Sequence, residues 1–352
     1  MKAMTNRERV VAALHGEPTD RTPFTTYEWK IPWGEDKRKL IERGLTMMMR
    51  FPGVREAYAH CEWTMATYMK DGKKWERETI STPKGDVSSL FLPDQTNKVR
   101  KQVQHWIKGE ADYEPLIHAI DDTVFSPSFE EIRLAQESLG EDGYVYIWAG
   151  YSPLQEIIIR LMGIEQFSYE LAERPDHLWA LYDALWRREQ RRYEILADAP
   201  VEMVQACGNP IASVLGRKRF VDRVLPPLAE SAAALHAAGK LQAVHIDGDN
   251  AIWAKDLAAS PIDILEAFTP APDTDMTIAQ GRQAFKDKIL WANFPSSVHL
   301  ASAETVRATT QEILEAVAPG RRFLLGITED VPPQCWRTSF NAILDTIDDF
   351  CR

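Results

Sequence analysis

The sequence predicts a (β/α)8 TIM barrel with an antiparallel β-hairpin insertion near the N-terminus, built as a single domain over residues 1–352. Three observations predict it. After Asp112, short apolar runs alternate with helix-period stretches, the pattern of βα units around a parallel sheet. The runs are almost continuously apolar, as strands buried on both faces require. Polar residues gather where the runs end, at the rim where such a barrel keeps its chemistry. An open doubly wound sheet is the competing architecture, but no glycine-rich phosphate turn follows the first strand.

Each element has a local reason. Residues 6–14 read as an amphipathic helix, with Thr5 as N-cap and Gly16 and Pro18 closing it. The run from Thr22 to Glu28 reads as a first strand, followed by the aromatic, proline-containing loop 29–34. From Thr46 to Leu92 the texture turns antiparallel. Two strand-like runs, 62–69 and 74–80, flank Asp71-Gly72, a strong hairpin signal. Helices then read over 112–121, 127–139, 152–162, 164–172 and 175–196, with a strand at 144–148. Further strands read at 201–206, 241–246, 262–268, 289–293 and 323–327. The helices between and after them read at 218–238, kinked by Pro226-Pro227, then 251–259, 278–286, 303–317 and 339–350.

Composition excludes several classes. The net charge of −11 argues against a nucleic-acid groove, which needs surplus Lys and Arg. No apolar run approaches the length of a membrane span, and residues 1–9 lack a signal peptide's apolar core. The four cysteines are scattered without a C-x-x-C pair, so a cytoplasmic protein without a disulfide framework is expected. Cys207 and Cys335 read better as small hydrophobes than as ligands.

The densest chemistry lies in Ala243-Val244-His245-Ile246-Asp247-Gly248-Asp249-Asn250. On a strand, residues i and i+2 share a side, so His245 and Asp247 project together, and Gly248 allows a sharp turn beyond them. Read alone, the histidine fits a satisfied core residue equally well. Taken with the last strand end, His245, Asp247 and Glu329 form a candidate site for zinc or another divalent metal. The competing reading makes Glu329 a turn residue before Val331-Pro332-Pro333. The other strand ends offer Tyr27, Trp29, Trp33, Trp148, Tyr151, Asn209, Asn250 and Phe294 as substrate contacts. His245, Asp249 and Glu28 are the candidate acid–base groups.

These residues resemble the uroporphyrinogen decarboxylase superfamily. The resemblance is carried by Met4 through Arg9, Gly16 through Pro23, Thr82-Pro83-Lys84-Gly85, Leu161-Met162-Gly163 through Asp176, His245 with Gly248, and Gly326 through Pro332. It implies the barrel, and for many members a homodimer. It also implies one of two chemistries: cofactor-free decarboxylation of porphyrinogen acetates, or methyl transfer between a corrinoid protein and a thiol or folate, with zinc in thiol-activating members. The early arginine-rich motif of the decarboxylases is missing, since residues 26–33 contain no Arg and offer Glu28 instead. The thiol-activating transferases carry His-x-Cys where this chain has His245-x-Asp247, and a third ligand Cys near Glu329. Oxygen ligands in both places imply a harder, less thiophilic site.

The leading expectation is therefore a methyltransferase or demethylase acting on a small methoxy or methylamine substrate, aromatic or aliphatic. It would be metal-assisted, with a corrinoid on a partner protein or tetrahydrofolate as acceptor. The alternative is a metal-free decarboxylase of a small carboxylate, with His245 as general acid and Arg217 or Lys218 gripping the substrate. A non-catalytic binding barrel is the third reading, weakened by the titratable groups at the strand ends.

Overall fold

The structure is a computed structural model that describes residues 3–94 and 99–351, apart from the side chain of Cys207. Its strands, in chain order, are β1 (Phe24–Tyr27), β2 (Leu45–Phe51), β3 (Val54–Tyr58), β4 (Glu62–Lys70), β5 (Lys73–Thr82), β6 (Gly85–Asp94) and β7 (Val99–Gln104). They continue as β8 (Thr123–Pro127), β9 (Gly143–Tyr151), β10 (Met203–Cys207), β11 (Leu241–His245), β12 (Ile264–Phe268), β13 (Ile289–Asn293) and β14 (Phe323–Ile327). Eight of them close into a barrel in the order β1-β14-β13-β12-β11-β10-β9-β2. The seven pairings described around it, all but β9–β10, are parallel. The expected (β/α)8 barrel is therefore the fold.

The chain divides into two compact units. The first comprises Met1–Gly53, Ser128–Gly150 and Ala197–Arg352 and carries the barrel strands. The second comprises Val54–Pro127 and Tyr151–Leu196. It holds the antiparallel excursion, which is larger than one hairpin: a four-stranded sheet in the order β4-β5-β6-β7, plus the pair β3-β8.

One local expectation is corrected. The excursion begins later than Thr46, because residues 45–51 form the barrel strand β2. Its three consecutive methionines have no marked strand preference, which hides it. The expected helical stretch 218–238 is present: helix continues through the π-helical segment Phe220–Val224 into Leu225–Ala237, and this wider turn lies directly before Pro226 and Pro227, where prolines disturb a helix. Thr5 does cap the helix Asn6–Leu14: it accepts from the Glu8 N–H, and Glu8 accepts from the Thr5 N–H at 2.7 Å. No helix among the described residues is long and apolar enough to cross a membrane.

The barrel interior is layered, and the two-residue strand period sets the layers. One buried layer is largely apolar, with Met48, Tyr144, Met203, Ala243, Ile264, Ile289 and Leu324. Two residues further along the same strands stand Arg50, Tyr146, Gln205, His245, Glu266, Trp291 and Gly326. A single step toward the C-terminal ends thus turns a hydrophobic plug into a more polar layer. Gly326 is needed there: a Cβ at that position would come within 2.4 Å of Trp291 Nε1.

Candidate active site

His245 ends β11 at the barrel mouth. Its Nδ1 lies 2.6 Å from Glu266 Oε2, and its Nε2 lies 3.4 Å from Asp247 Oδ2. Glu266 is fully buried and also accepts from the Tyr27 hydroxyl and the Gln205 amide. A β-bulge aims it: the β12–β13 register shifts between Glu266 and Phe268, with Ala267 at φ 58°. Such bulges re-aim side chains beside functional sites. Gly208 lets the β10 turn pass β11 closely, since a Cβ there would meet the His245 carbonyl at 2.4 Å.

Electrostatics follow the geometry. Burial opposes a charge on His245, but Glu266 and Asp247 outweigh it and raise its pKa well above the usual imidazole range. Burial also opposes charge on Asp247, yet the His245 contact and the Asn209 amide, at 3.2 Å and 3.3 Å, hold its pKa low. Burial pushes the Glu329 carboxyl upward, aided by Asp247 and opposed by Lys30.

One ligand atom from each of His245, Asp247 and Glu329 lies within 4.8 Å of the other two. Donors about 2.0–2.2 Å from a tetrahedral ion stand roughly 3.3–3.6 Å apart, so modest carboxylate rotations close the trio around one metal. A neutral imidazole and two carboxylates balance a divalent charge. The Glu266 contact on Nδ1 is the carboxylate–histidine support that metal-binding histidines usually have. The residues present fit a divalent ion.

The remaining expected site residues separate into three groups. Tyr27, Trp29 and Trp148 come together: Tyr27 and Trp29 stack with centroids 4.7 Å apart, and Arg50 lies over all three rings. Asn209 belongs with His245 and Asp247, its amide donating to the Asp247 carboxylate. Glu28 lies next to Tyr27, with a buried Oε2 that accepts no hydrogen bond. Its pKa is raised by burial, against the pull of Lys37 and Arg50. Others serve the framework. Both ends of the Asn250 amide are used, on the Ile246 and Gly248 carbonyls and the Trp253 N–H. Asp249 is exposed and accepts from the Asp275 N–H at 3.1 Å. Phe294 is fully buried beside His299. Trp33 is 69% exposed, with the Lys37 ammonium 3.8 Å over its ring. Tyr151 closes β9 and belongs to the second unit. The Cys207 side chain lies outside the described residues, and Cys335 is a half-buried free thiol.

Sequence reading missed Glu266, Gln205 and Arg50. The signal existed for the first two. A Glu inside Ile264-Leu265-Glu266-Ala267-Phe268, and a Gln inside Met203-Val204-Gln205-Ala206, are polar side chains in central strands, where burial without a partner is costly. Arg217 and Lys218, considered as carboxylate grips, are instead paired with Asp256 and Asp222.

A barrel with a His–carboxylate constellation at its C-terminal mouth defines a class of enzyme-like (β/α)8 proteins. Within that class the assignment is specific: the uroporphyrinogen decarboxylase (URO-D) family model matches residues 102–350, and the chain belongs to that family. No curated protein sequence matches it. Among solved structures, it is similar to a methyltransferase from Methanosarcina mazei, with 15% identity, 99% of this chain and all of that one covered, and a TM-score of 0.60. A nitroalkane oxidase from Streptomyces ansochromogenes follows at 16% identity, 57% and 53% coverage, and a TM-score of 0.30. The GH20 catalytic modules of a pneumococcal exo-β-D-N-acetylglucosaminidase reach 10% identity, 93% and 84% coverage, and a TM-score of 0.40.

Proposed function

We propose that this URO-D-family protein is a metal-assisted methyltransferase or demethylase that takes a methyl group from a small methoxy- or methylamine-bearing substrate. One observation carries the reading: three side chains of metal-ligand type from two strand ends lie close together at the mouth, and a buried carboxylate contacts the histidine among them. His245, Asp247 and Glu329 would hold the ion, zinc or a harder divalent metal, which when bound supplies Lewis acidity toward a substrate oxygen or nitrogen. The chain's own residues do the rest. Glu266 and Gln205 fix the imidazole plane. Trp29, Tyr27 and Trp148 form an aromatic wall for the substrate body. Glu28 holds or delivers a proton. The reading carries a corrinoid-bearing protein or tetrahydrofolate as acceptor, and a cytoplasmic homodimer.

A second reading has its own support. His245 stands between two carboxylates, at 2.6 Å and 3.4 Å, which favours a proton on each ring nitrogen. In that state it would serve as general acid in a metal-free decarboxylation of a small carboxylate.

Metal content of protein purified without chelator separates the two. Stoichiometric metal in the wild type, lost in His245→Ala and in Glu329→Ala, is the expected result. A wild type that takes up no metal even after soaking in zinc overturns the metal-assisted reading and leaves the decarboxylase.

A further inference from the structure

The more polar layer holds a cation that the proposed function does not use. Arg50 stands on the inner face of β2, two residues beyond the buried Met48. Its guanidinium carbon is 5.0 Å from the Tyr27 ring centroid, 4.7 Å from Trp29 and 5.5 Å from Trp148. It forms no ion pair among the described residues. This is unusual company for an arginine so placed. The planar fork has five N–H donors matched to a carboxylate. Aromatic faces offset part of its desolvation but accept little of that hydrogen bonding. Other cations near the mouth are already engaged: Lys30 pairs with Asp330 at 2.8 Å, and Lys37 donates to the Glu28 carbonyl.

We propose that Arg50 is the carboxylate receptor of the substrate site, and that the substrate is a small aromatic carboxylate. Its carboxylate meets the guanidinium fork while its ring lies among Trp29, Tyr27 and Trp148. The inference rests on the reading of this mouth as the substrate site, and deepens it by naming the substrate class. The surrounding charges give the orientation. In the metal-free protein Asp247 and Glu329 repel an anion at the candidate metal position, so the carboxylate end goes to Arg50 and the reacting group points toward His245. The bridge between the two is short: Tyr27 touches Arg50 with its ring and Glu266 with its hydroxyl, and Glu266 touches His245.

The test is calorimetric titration of chelator-treated, metal-free protein with 3-methoxybenzoate and with its neutral isostere 3-methoxybenzamide. The wild type is expected to bind the benzoate at least about tenfold more tightly, as a charge-assisted bidentate contact provides. Arg50→Gln should erase the preference, and Arg50→Lys, which keeps the charge without the fork, should retain only part of it. Thermal melts of both variants establish that they are folded, and if Arg50→Gln is not, Arg50→Lys decides. Equal affinity for the two ligands in the wild type, binding of neither, or an unchanged preference in either folded variant overturns the proposal. No metal or turnover enters this measurement, so its outcome is independent of the metal-content result.

Discussion

Two clusters of buried charge occupy the two units, and they are built on opposite principles. In the second unit, Arg188 pairs with Glu156, and with Glu189 at 3.0 Å, while Arg192 meets Glu189 at 2.9 Å and Glu56 at 3.3 Å. Arg160 adds a longer contact to Glu156 at 3.7 Å. Three arginines thus face three glutamates, and the charges cancel. At the barrel mouth, Glu266, Asp247 and Glu329 surround a single imidazole. There the carboxylates are in surplus. A cluster that neutralises itself holds helices in register and asks for nothing more. A cluster with surplus negative charge is less stable by itself and gains when a cation arrives.

The largest effect that sharpens this contrast is expected in the balanced cluster. Arg188→Met leaves Glu156 and Glu189 buried without their principal partner, and breaking a buried pair from one side costs about 3–5 kcal/mol. Urea unfolding should register that loss while metal uptake at the mouth stays unchanged. A loss below about 1 kcal/mol, the range of exposed pairs, would break the comparison.

The second effect belongs to the mouth and concerns affinity. Glu266→Gln keeps the shape of the side chain but removes the charge that supports the His245 Nδ1 contact. Removing such support typically lowers metal affinity about 10–100-fold. Competition titration against a chelator should show a drop of that size, with the fold retained. Unchanged affinity would mean that packing alone orients the imidazole.

These two residues also mark how far the sequence could be read. The barrel was legible because apolar runs and helix-period stretches repeat, and only one strand, β2, escaped. The His245–Asp247 pair was legible because alternation puts i and i+2 on one side. Glu266 escaped because a strand end was read at Phe268, whereas the bulge at Ala267 turns a residue from within the strand toward the mouth. Asn250 and Asp249 show the converse. Both looked available at a strand end, but the loop that follows needs their hydrogen bonds, to Ile246, Gly248, Trp253 and Asp275. Spacing locates a rim; it does not tell which polar groups the rim consumes. Arg50 was hidden for a third reason. Its strand was unrecognised, so nothing said that its side chain points inward.

The smallest expected effect is the most diagnostic of surplus charge. Burial and the Asp247 charge both raise the Glu329 pKa, with Lys30 opposing. Folding therefore disfavours the ionised form, and this carboxyl's contribution is best at low pH and declines as pH rises through its folded-state pKa. In metal-free protein near neutral pH, Glu329→Gln should equal or exceed the wild type in stability, by less than about 1 kcal/mol because the side chain is partly solvated. Below the ordinary carboxylate range the difference should vanish, since the wild-type group is then neutral too. Saturating zinc should reverse the order, because only the intact trio gains the linkage stabilisation of about 2.7 kcal/mol at a hundred times Kd. Thermal melts at two pH values, with and without zinc, contain the whole test. A variant less stable than the wild type in all four conditions would place Glu329 with the structural charges of the other unit and leave the mouth without a metal trio.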